Sequence, residues 1–349
     1  METTSANGAA AGGSGAPISR RRVLGIAGCA AGLLSGGGAL AALLSPDAPP
    51  PAKGHRWRGV VLGAPASITV VARDRAAARR IVAESLAEIA RLERVFSLYR
   101  TDSALSALNR EGVLADPPAD MLRLLSLARR VHAASGGAFD PTVQPLWRLY
   151  AEHFARPNAD PAGPGAAART AALERIGFER LHIARSRIAL PAGMALTLNG
   201  IAQGYIADRV ADLMRAAGIG DTLIDLGEIR ALGRRGDGRP WRAGIRAPGR
   251  PDDLLGTVAL ANMALATSGD DGTQFDPAGR FGHILDPRTG APARPNASVS
   301  VRAPGAALAD ALSTALFVMP AGEGFDLVRR FPGAAALILR RDGRLLGWS

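Results

Sequence analysis

Apolar positions along the chain follow two spacings, which together predict a mixture of helices and strands. Between Ala76 and Phe96 the apolar residues recur three and four apart, the pattern of one buried helix face. Further helices are predicted over 117–131, 201–217, 309–319 and 322–330. Short apolar runs bounded by Gly and Pro predict strands over 60–71, 222–226, 229–232, 241–245 and 254–260, and hairpins over 178–190 and 335–346.

The order of these elements indicates the fold class. The strands cluster as hairpins after Gly218, whereas the helices come singly between them, and this order does not fit a regular βαβ repeat. We therefore predict an α+β fold. The 349 residues are 47% hydrophobic, which supports a packed core and excludes global disorder.

A net charge of +11 raises the question of nucleic-acid binding, and the distribution of the charge argues against it. Lys53 is the only lysine, and the arginines are spread along the chain instead of forming a patch. Aromatic residues make up only 5% of the sequence, too few for base-stacking platforms. We expect no nucleic-acid partner.

The N-terminal sequence predicts export. Arg20 and Arg21 begin a twin-arginine pattern that precedes a mild apolar run, and Ala39-Leu40-Ala41 is a plausible cleavage site. We predict a twin-arginine signal over 1–44, a Pro-rich spacer over 45–58, one domain over 59–349, and a periplasmic location.

Two alternatives for the N-terminal segment stay open. Its apolar run is long enough to serve as a membrane anchor, and the residues up to Cys29 resemble a lipidation signal. Cys29 is the only cysteine, and cleavage after Ala41 would remove it. The mature chain would then have no disulfide, no thiolate nucleophile and no cysteine metal ligand.

The stretch from Leu196 to Asp208 predicts a strand that turns through glycines into a helix. Apolar residues alternate up to Leu198 and then resume at helical spacing after Asn199-Gly200. Such a turn leaves free backbone N–H groups at the helix start, where an anion is favoured. Gly200 and Gly204 let a ligand approach the backbone closely.

Five further segments accompany this turn: Ser97–Arg100, Gly136–Thr142, Thr267–Asp270, His283–Gly290 and Ala309–Ala315. In this order they resemble the ApbE family, the FAD:protein FMN transferases, and the resemblance runs from about Gly59 to the C-terminus. It implies an antiparallel sheet core related to the T-fold, with flanking helices and an FAD site in a cleft.

The resemblance also implies which residues contact FAD. It places the ring of Tyr99 against the isoalloxazine, a suitable use of a flat apolar face with a polar tip. It also implies that the turn at Ala138–Asp140 contacts FAD, through the main chain of Ala138 and Phe139 and through one hydrogen bond of the Asp140 carboxylate. The expected FAD-binding residues are Leu62, Tyr99, Ala138, Phe139, Asp140, Gln203 and Ile284.

A magnesium site is expected where the last motif forms a helix. Asp310 and Thr314 are four residues apart, so both side chains lie on one helix face. Their oxygens suit Mg²⁺, which keeps few protein ligands and lets phosphates complete its shell. By resemblance, the ligands are Asp310, Thr314 and the Ser313 carbonyl, with a main-chain ligand from Gly200.

The implied reaction joins these parts. FAD is the donor, a threonine or serine hydroxyl of an acceptor flavoprotein in a membrane or periplasmic redox complex attacks the FMN phosphorus, and AMP leaves. His283 is the first candidate for the base that removes the hydroxyl proton, ahead of Asp270 and Asp286. The alternative is that His283 only pins its loop.

The sequence departs from the family pattern in places. Thr197, Asn199 and Gln203 stand where the family commonly has Asp, Gly and Lys, and Gly227-Glu228 replaces a common Gly-Gly pair. The altered turn is similar to that of the flavin transferases serving nitrous-oxide-reductase maturation. Two other functions stay open: an FAD pyrophosphatase that yields FMN and AMP, and a non-catalytic FAD carrier.

Overall fold

A computed structural model of the chain describes residues 54–61, 64–72, 74–269 and 272–348. The predicted signal segment, most of the spacer, Leu62 and Asp270 lie outside these ranges. Among the helices that are described, none is both long and apolar enough to cross a membrane.

Thirteen strands are described: β1 Gly54–Val61, β2 Ala64–Val71, β3 Val113–Ala115, β4 His182–Ile183, β5 Arg187–Ala189, β6 Thr222–Asp225, β7 Ile229–Leu232, β8 Trp241–Ala247, β9 Arg250–Leu260, β10 Ala264–Gly269, β11 Asn296–Ala303, β12 Ala335–Arg340 and β13 Leu345–Gly347. The described α-helices are α1 Arg75–Phe96, α2 Ala104–Glu111, α3 Ala119–Ala134, α4 Gln144–Phe154, α5 Ala166–Leu173, α6 Ala202–Ala216, α7 Ala306–Val318 and α8 Ala321–Arg329.

An eight-stranded sheet in the order β1-β2-β6-β7-β10-β11-β12-β13 forms the centre of the fold. Each pair of neighbouring strands in this sheet is antiparallel. A three-stranded sheet, β3-β5-β4, and the two-stranded ribbon β8-β9 lie apart from it. The predicted α+β class with an antiparallel sheet core is confirmed.

Alternate residues of the central strands face two separate cores, as a period of two requires. Ile224 and Ala266 belong to the large core under helices α1, α6 and α7. Their neighbours Leu223 and Leu265 belong to a smaller core under the β8-β9 ribbon, around Trp241. Both faces of the sheet are therefore covered, and the helical face carries most of the buried apolar residues.

Helices α6 and α7 approach each other closely, and this contact positions the site. A β-carbon on Gly204 would lie 2.3 Å from the Ala306 carbonyl oxygen, so only glycine allows this spacing. The Asp208 carboxylate accepts the N–H groups of Ala306 at 2.9 Å and of Ala307 at 3.0 Å, and it thereby caps the start of α7. The next turn of α7 then brings Asp310 opposite the start of α6.

Several predicted elements differ in the structure. The strand expected over 60–71 is the hairpin β1-β2, and helices α2, α4 and α5 were not predicted. The strand expected before Asn199 was wrong: residues 194–198 have no strand partner. The amide of Asn109 instead bonds both main-chain groups of Leu196, accepting from its nitrogen at 2.7 Å and donating to its oxygen at 2.8 Å.

Candidate active site

The predicted motifs meet around one cleft on the helical side of the sheet. Nine of the residues expected at the site line this cleft: Tyr99, Ala138, Phe139, Asp140, Gly200, His283, Ile284, Asp310 and Thr314. Trp147 and Val143 add apolar surface, and Arg148 adds a cation at the exposed edge. A cleft with a long apolar wall and a few convergent polar groups fits an organic ligand with a charged portion.

One corner of the cleft brings together the oxygen atoms expected to bind a metal. Gly200 packs directly on Thr314, because a β-carbon there would lie 2.8 Å from the Thr314 Oγ1. Asp310 is buried, and its Oδ2 accepts the Gly204 N–H at 3.2 Å. The turn before α6 and the middle of α7 therefore form this corner together.

Ser313 supports the corner from behind and does not itself line the cleft. Its hydroxyl donates to the Asp310 carbonyl at 2.9 Å and lies 2.8 Å from the Ser268 hydroxyl. Ser268 in turn lies 3.5 Å from Thr314 Oγ1. This hydroxyl chain fixes the side chains on the cleft-facing side of α7. The role of the Ser313 carbonyl as a metal ligand stays a prediction.

Glu228 lines the same cleft, and the sequence analysis missed it as a site residue. It is buried, its carboxylate accepts the Thr267 N–H, and its Oε2 has no partner among the described residues. Burial raises the pKa of Glu228 well above its usual range, and the charges of Asp310 and Asp225 raise it further. The signal was present in the replacement of a Gly-Gly pair by Gly227-Glu228.

Asp310 is similarly perturbed. Burial raises the pKa of Asp310 to about 8, while its hydrogen bond from Gly204 acts in the opposite direction. Two buried carboxylates, one of them with an unpartnered oxygen, favour a cation in their midst. Asp310, with the Thr314 hydroxyl and the Gly200 main chain, forms a donor set that fits Mg²⁺.

His283 has the hydrogen bonding of a neutral imidazole with one free lone pair. Its Nδ1 lies 3.2 Å from the Thr273 carbonyl oxygen, which requires the proton on Nδ1. Its Nε2 is buried and has no partner among the described residues. Burial lowers the pKa of His283 to about 4, although the bond to Thr273 acts to raise it. The ring is thus an acceptor at Nε2 at neutral pH, as a general base must be.

The residues expected to bind the flavin differ in how many of their polar atoms remain unpaired. Burial raises the pKa of Tyr99, whose phenol is hydrogen-bonded by the Asn199 amide. Asp140 lines the cleft, yet its carboxylate accepts from Thr142 N at 2.7 Å, from Thr142 Oγ1 at 2.6 Å and from Phe178 N at 3.2 Å. The Asp140 carboxylate therefore stabilises the turn that contains it, and most of its hydrogen-bonding capacity is satisfied within the protein.

Gln203 does not line the cleft, contrary to the expectation that it contacts FAD. Its side chain is buried and donates to the Leu226 carbonyl at 3.2 Å. It also lies against Gly227, where an added β-carbon would be 2.8 Å from its amide nitrogen. Because α6 directs this side chain under the β6-β7 turn, Gln203 supports the turn that carries Glu228.

Asp286, the second candidate base inside the described ranges, is also occupied. Its carboxylate accepts from the Arg288 main-chain nitrogen at 2.9 Å and from the Arg288 guanidinium at 3.0 Å. Its carbonyl accepts the Gly290 N–H at 2.8 Å. These bonds close a tight turn after His283, so Asp286 shapes the loop.

Comparison with known proteins agrees with this geometry. The sequence matches the model of the ApbE family over residues 62–338. It is 36% identical over 280 residues to a protein of Treponema pallidum named FAD:protein FMN transferase, covering 72% of this chain and 75% of that one. A Haemophilus influenzae protein of the same name is 32% identical, with 70% and 74% covered.

Solved structures lead to the same group. The flavinyl transferase ApbE of Pseudomonas stutzeri matches with a TM-score of 0.72 at 31% identity, covering 84% of this chain and 94% of that one. The ApbE protein of Thermotoga maritima matches with a TM-score of 0.75 at 29% identity, covering 84% and 96%. Fold and sequence relationship therefore point to one family.

Proposed function

This chain belongs to the ApbE family, and on that premise we propose that it transfers the FMN moiety of FAD to a threonine or serine hydroxyl of an acceptor flavoprotein, in a Mg²⁺-dependent reaction that releases AMP. The relatives named above carry the name of this activity. One observation within the chain carries the proposal. An imidazole with a free lone pair and a corner of metal-binding oxygens line the same cleft.

The bonds that form and break in the proposed reaction give His283 and Thr273 separate roles. The acceptor oxygen forms a bond to the FMN phosphorus, the bond from that phosphorus to the bridging oxygen breaks, and AMP leaves with that oxygen. The hydroxyl proton passes to Nε2 of His283, while Thr273 holds the ring through Nδ1. Such transfer depends mainly on placement and charge neutralisation.

Asp310, Thr314 and the Gly200 main chain would hold the metal ion. When bound, Mg²⁺ neutralises the pyrophosphate charge and stabilises the leaving phosphate. The hydrogen-bonded hydroxyls of Ser268 and Ser313 support this face of α7, so that the side-chain oxygens of Asp310 and Thr314 point into the cleft. The half-buried faces of Tyr99 and Ile284 supply an apolar wall for the isoalloxazine ring.

The direct test uses the full-length chain with FAD and Mg²⁺, with and without an acceptor flavoprotein domain. AMP release is measured by chromatography, and covalent flavin by in-gel fluorescence of the acceptor. We expect both signals, and we expect both to disappear with an acceptor that lacks its target hydroxyl or with Asp310→Ala. AMP without a fluorescent acceptor would identify a pyrophosphatase, and tight FAD binding without AMP would identify a carrier.

We also propose that the chain works in the periplasm on a redox-complex flavoprotein. The support is the twin-arginine pattern at Arg20-Arg21 and the apolar run behind it. Residues 1–58 fused to a reporter that functions only after export should give a periplasmic signal, and Arg20→Lys with Arg21→Lys should abolish it. A reporter that stays in the cytoplasm would contradict export.

A further inference from the structure

Glu228 is fixed in place by the turn between β6 and β7. Gly227, with φ +102°, makes that turn in a conformation that L-residues with a side chain rarely adopt. The Leu226 N–H donates to the Glu228 carbonyl at 3.2 Å, and Gln203 supports the turn from α6. The backbone therefore determines where this side chain goes, and it goes into the cleft.

The carboxylate of Glu228 is only half satisfied. Its residue is 2% exposed, one N–H donor comes from Thr267, and Oε2 has no partner among the described residues. The charges that act on it, those of Asp310 and Asp225, are both negative. A buried carboxylate in such surroundings needs a cation or a proton to be tolerated.

The geometry points to Glu228 as a further ligand of the divalent cation, so that one carboxylate from the β6-β7 turn and one from α7 hold the ion. This inference rests on the proposed function, which brings the ion to the corner beside Gly200 and Thr314. It goes beyond the ligands that the family resemblance supplies. Carboxylate oxygens are the donors that Mg²⁺ and Mn²⁺ prefer, and a second carboxylate strengthens binding of the ion before FAD arrives.

The test measures metal binding alone, without FAD and without turnover. The full-length chain is titrated with Mn²⁺, and free Mn²⁺ is followed by electron paramagnetic resonance. Glu228→Gln keeps the size of the side chain and removes its charge. We expect it to weaken Mn²⁺ binding at least tenfold, as Asp310→Asn should.

Asp225→Asn is the matched control. Asp225 is a buried carboxylate close to Glu228 that does not line the cleft, and its asparagine variant keeps an oxygen for the Gly227 N–H, which Asp225 Oδ1 accepts at 3.3 Å. We expect the Asp225→Asn protein to bind Mn²⁺ within threefold of the wild type. Direct ligation by Glu228 would be overturned if the Glu228→Gln protein bound Mn²⁺ as tightly as the wild type. It would also be overturned if Asp225→Asn weakened Mn²⁺ binding by the same factor as Glu228→Gln.

A second measurement covers the case in which Glu228→Gln does not fold. Anomalous diffraction from wild-type crystals soaked in Mn²⁺ should place the ion about 2–2.5 Å from a Glu228 oxygen. An ion held by Asp310 and Thr314 with Glu228 out of reach would overturn the inference.

The inference and the proposed function fail separately. If Mn²⁺ binding depends on Glu228 but no acceptor is flavinylated, the ligand assignment stands and FMN transfer is overturned. If the wild type flavinylates an acceptor and Glu228→Gln binds Mn²⁺ normally, the assignment of Glu228 is overturned and the transfer stands.

Discussion

Gly272 lies so close to His283 that a β-carbon on Gly272 would be 2.2 Å from Cε1 of the imidazole and 3.0 Å from its Nε2. The glycine therefore covers the ring and contributes to the burial of Nε2. The same burial keeps the ring neutral, since it lowers the pKa of His283. Gly272 therefore helps to set the position of the proposed base.

Gly272→Ala should move the imidazole and slow FMN transfer at least tenfold. The added methyl group cannot fit against a ring that Thr273 also holds, so the ring must rotate away from its present position. Because the flavin wall is untouched, we expect the FAD dissociation constant to change less than threefold. Gly256→Ala, where a β-carbon would meet nothing within 4 Å, is the control. Equal rates for both variants would contradict a positioning role for Gly272.

His283→Asn separates proton transfer from loop pinning. An asparagine amide can still donate to the Thr273 carbonyl, as Nδ1–H does, but it has no lone pair at the place of Nε2. Loss of a general base costs about 10²–10⁴ in rate, so we expect transfer to fall by about that factor while FAD binding stays within threefold. Single-turnover transfer and fluorescence titration measure the two. Equal losses in both would mean that His283 only holds its loop.

The pKa of His283 also predicts how stability depends on pH. The unfolded chain binds a proton to this histidine below about pH 6.5, whereas the folded chain does so only near pH 4. The unfolded state therefore binds more protons between these values, and folding stability is lost as pH falls through that window. The free energy of unfolding of the wild type relative to His283→Asn should drop by up to about 3 kcal/mol between pH 7 and pH 4. Urea unfolding at four pH values measures it, and a constant difference would contradict the lowered pKa.

Removal of the metal ion should change folding stability through the ionisation of Asp310. Its folded pKa of about 8 is above its unfolded value, so in EDTA the neutral carboxyl favours the folded state, and this contribution is lost as pH rises towards 8. Mg²⁺ replaces the proton, so its addition should raise the Tm more at pH 8 than at pH 5.5. Asp310→Asn should abolish the Mg²⁺ effect at both pH values and be more stable than the wild type in EDTA at pH 8. A Mg²⁺ shift that survives in the variant would place the ion elsewhere.

Much of the fold could be predicted because periodicity reports burial on one face. The 22-residue helix Arg75–Phe96 has a clear apolar stripe, and it was predicted to within one residue. Helix Ala104–Glu111 is short, with only two buried residues, Leu105 and Leu108, so its pattern is too brief to stand out. The hairpin β1-β2 was predicted as one strand because its apolar residues continue across the turn.

Site residues could be predicted where residue type and sequence spacing are sufficient. They could not be predicted where tertiary packing determines which side chains reach the cleft. Asp310 and Thr314 share a helix face by spacing alone, and the cleft does contain both. Gln203 is polar and sits in a motif, yet its position on α6 directs it beneath a turn. Glu228 becomes a cleft residue only because the turn that carries it leads into β7, which pairs with β10 and packs against α6, a relationship that no local pattern contains.

Asn109 provides the last prediction, because it replaces the strand partner that residues 194–198 lack. Its amide bonds both main-chain groups of Leu196, three residues before the Asn199-Gly200 turn that packs on Thr314. Asn109→Ala leaves these buried groups unpaired, so we expect a loss of about 1–3 kcal/mol in the free energy of unfolding. The loosened turn should also weaken Mn²⁺ binding at least threefold, although Asn109 does not line the cleft. Asn158→Ala removes the same side chain from an exposed position and should change neither quantity. Urea unfolding and Mn²⁺ titration give the two readouts, and a destabilised variant with wild-type Mn²⁺ affinity would show that the segment is held for stability alone.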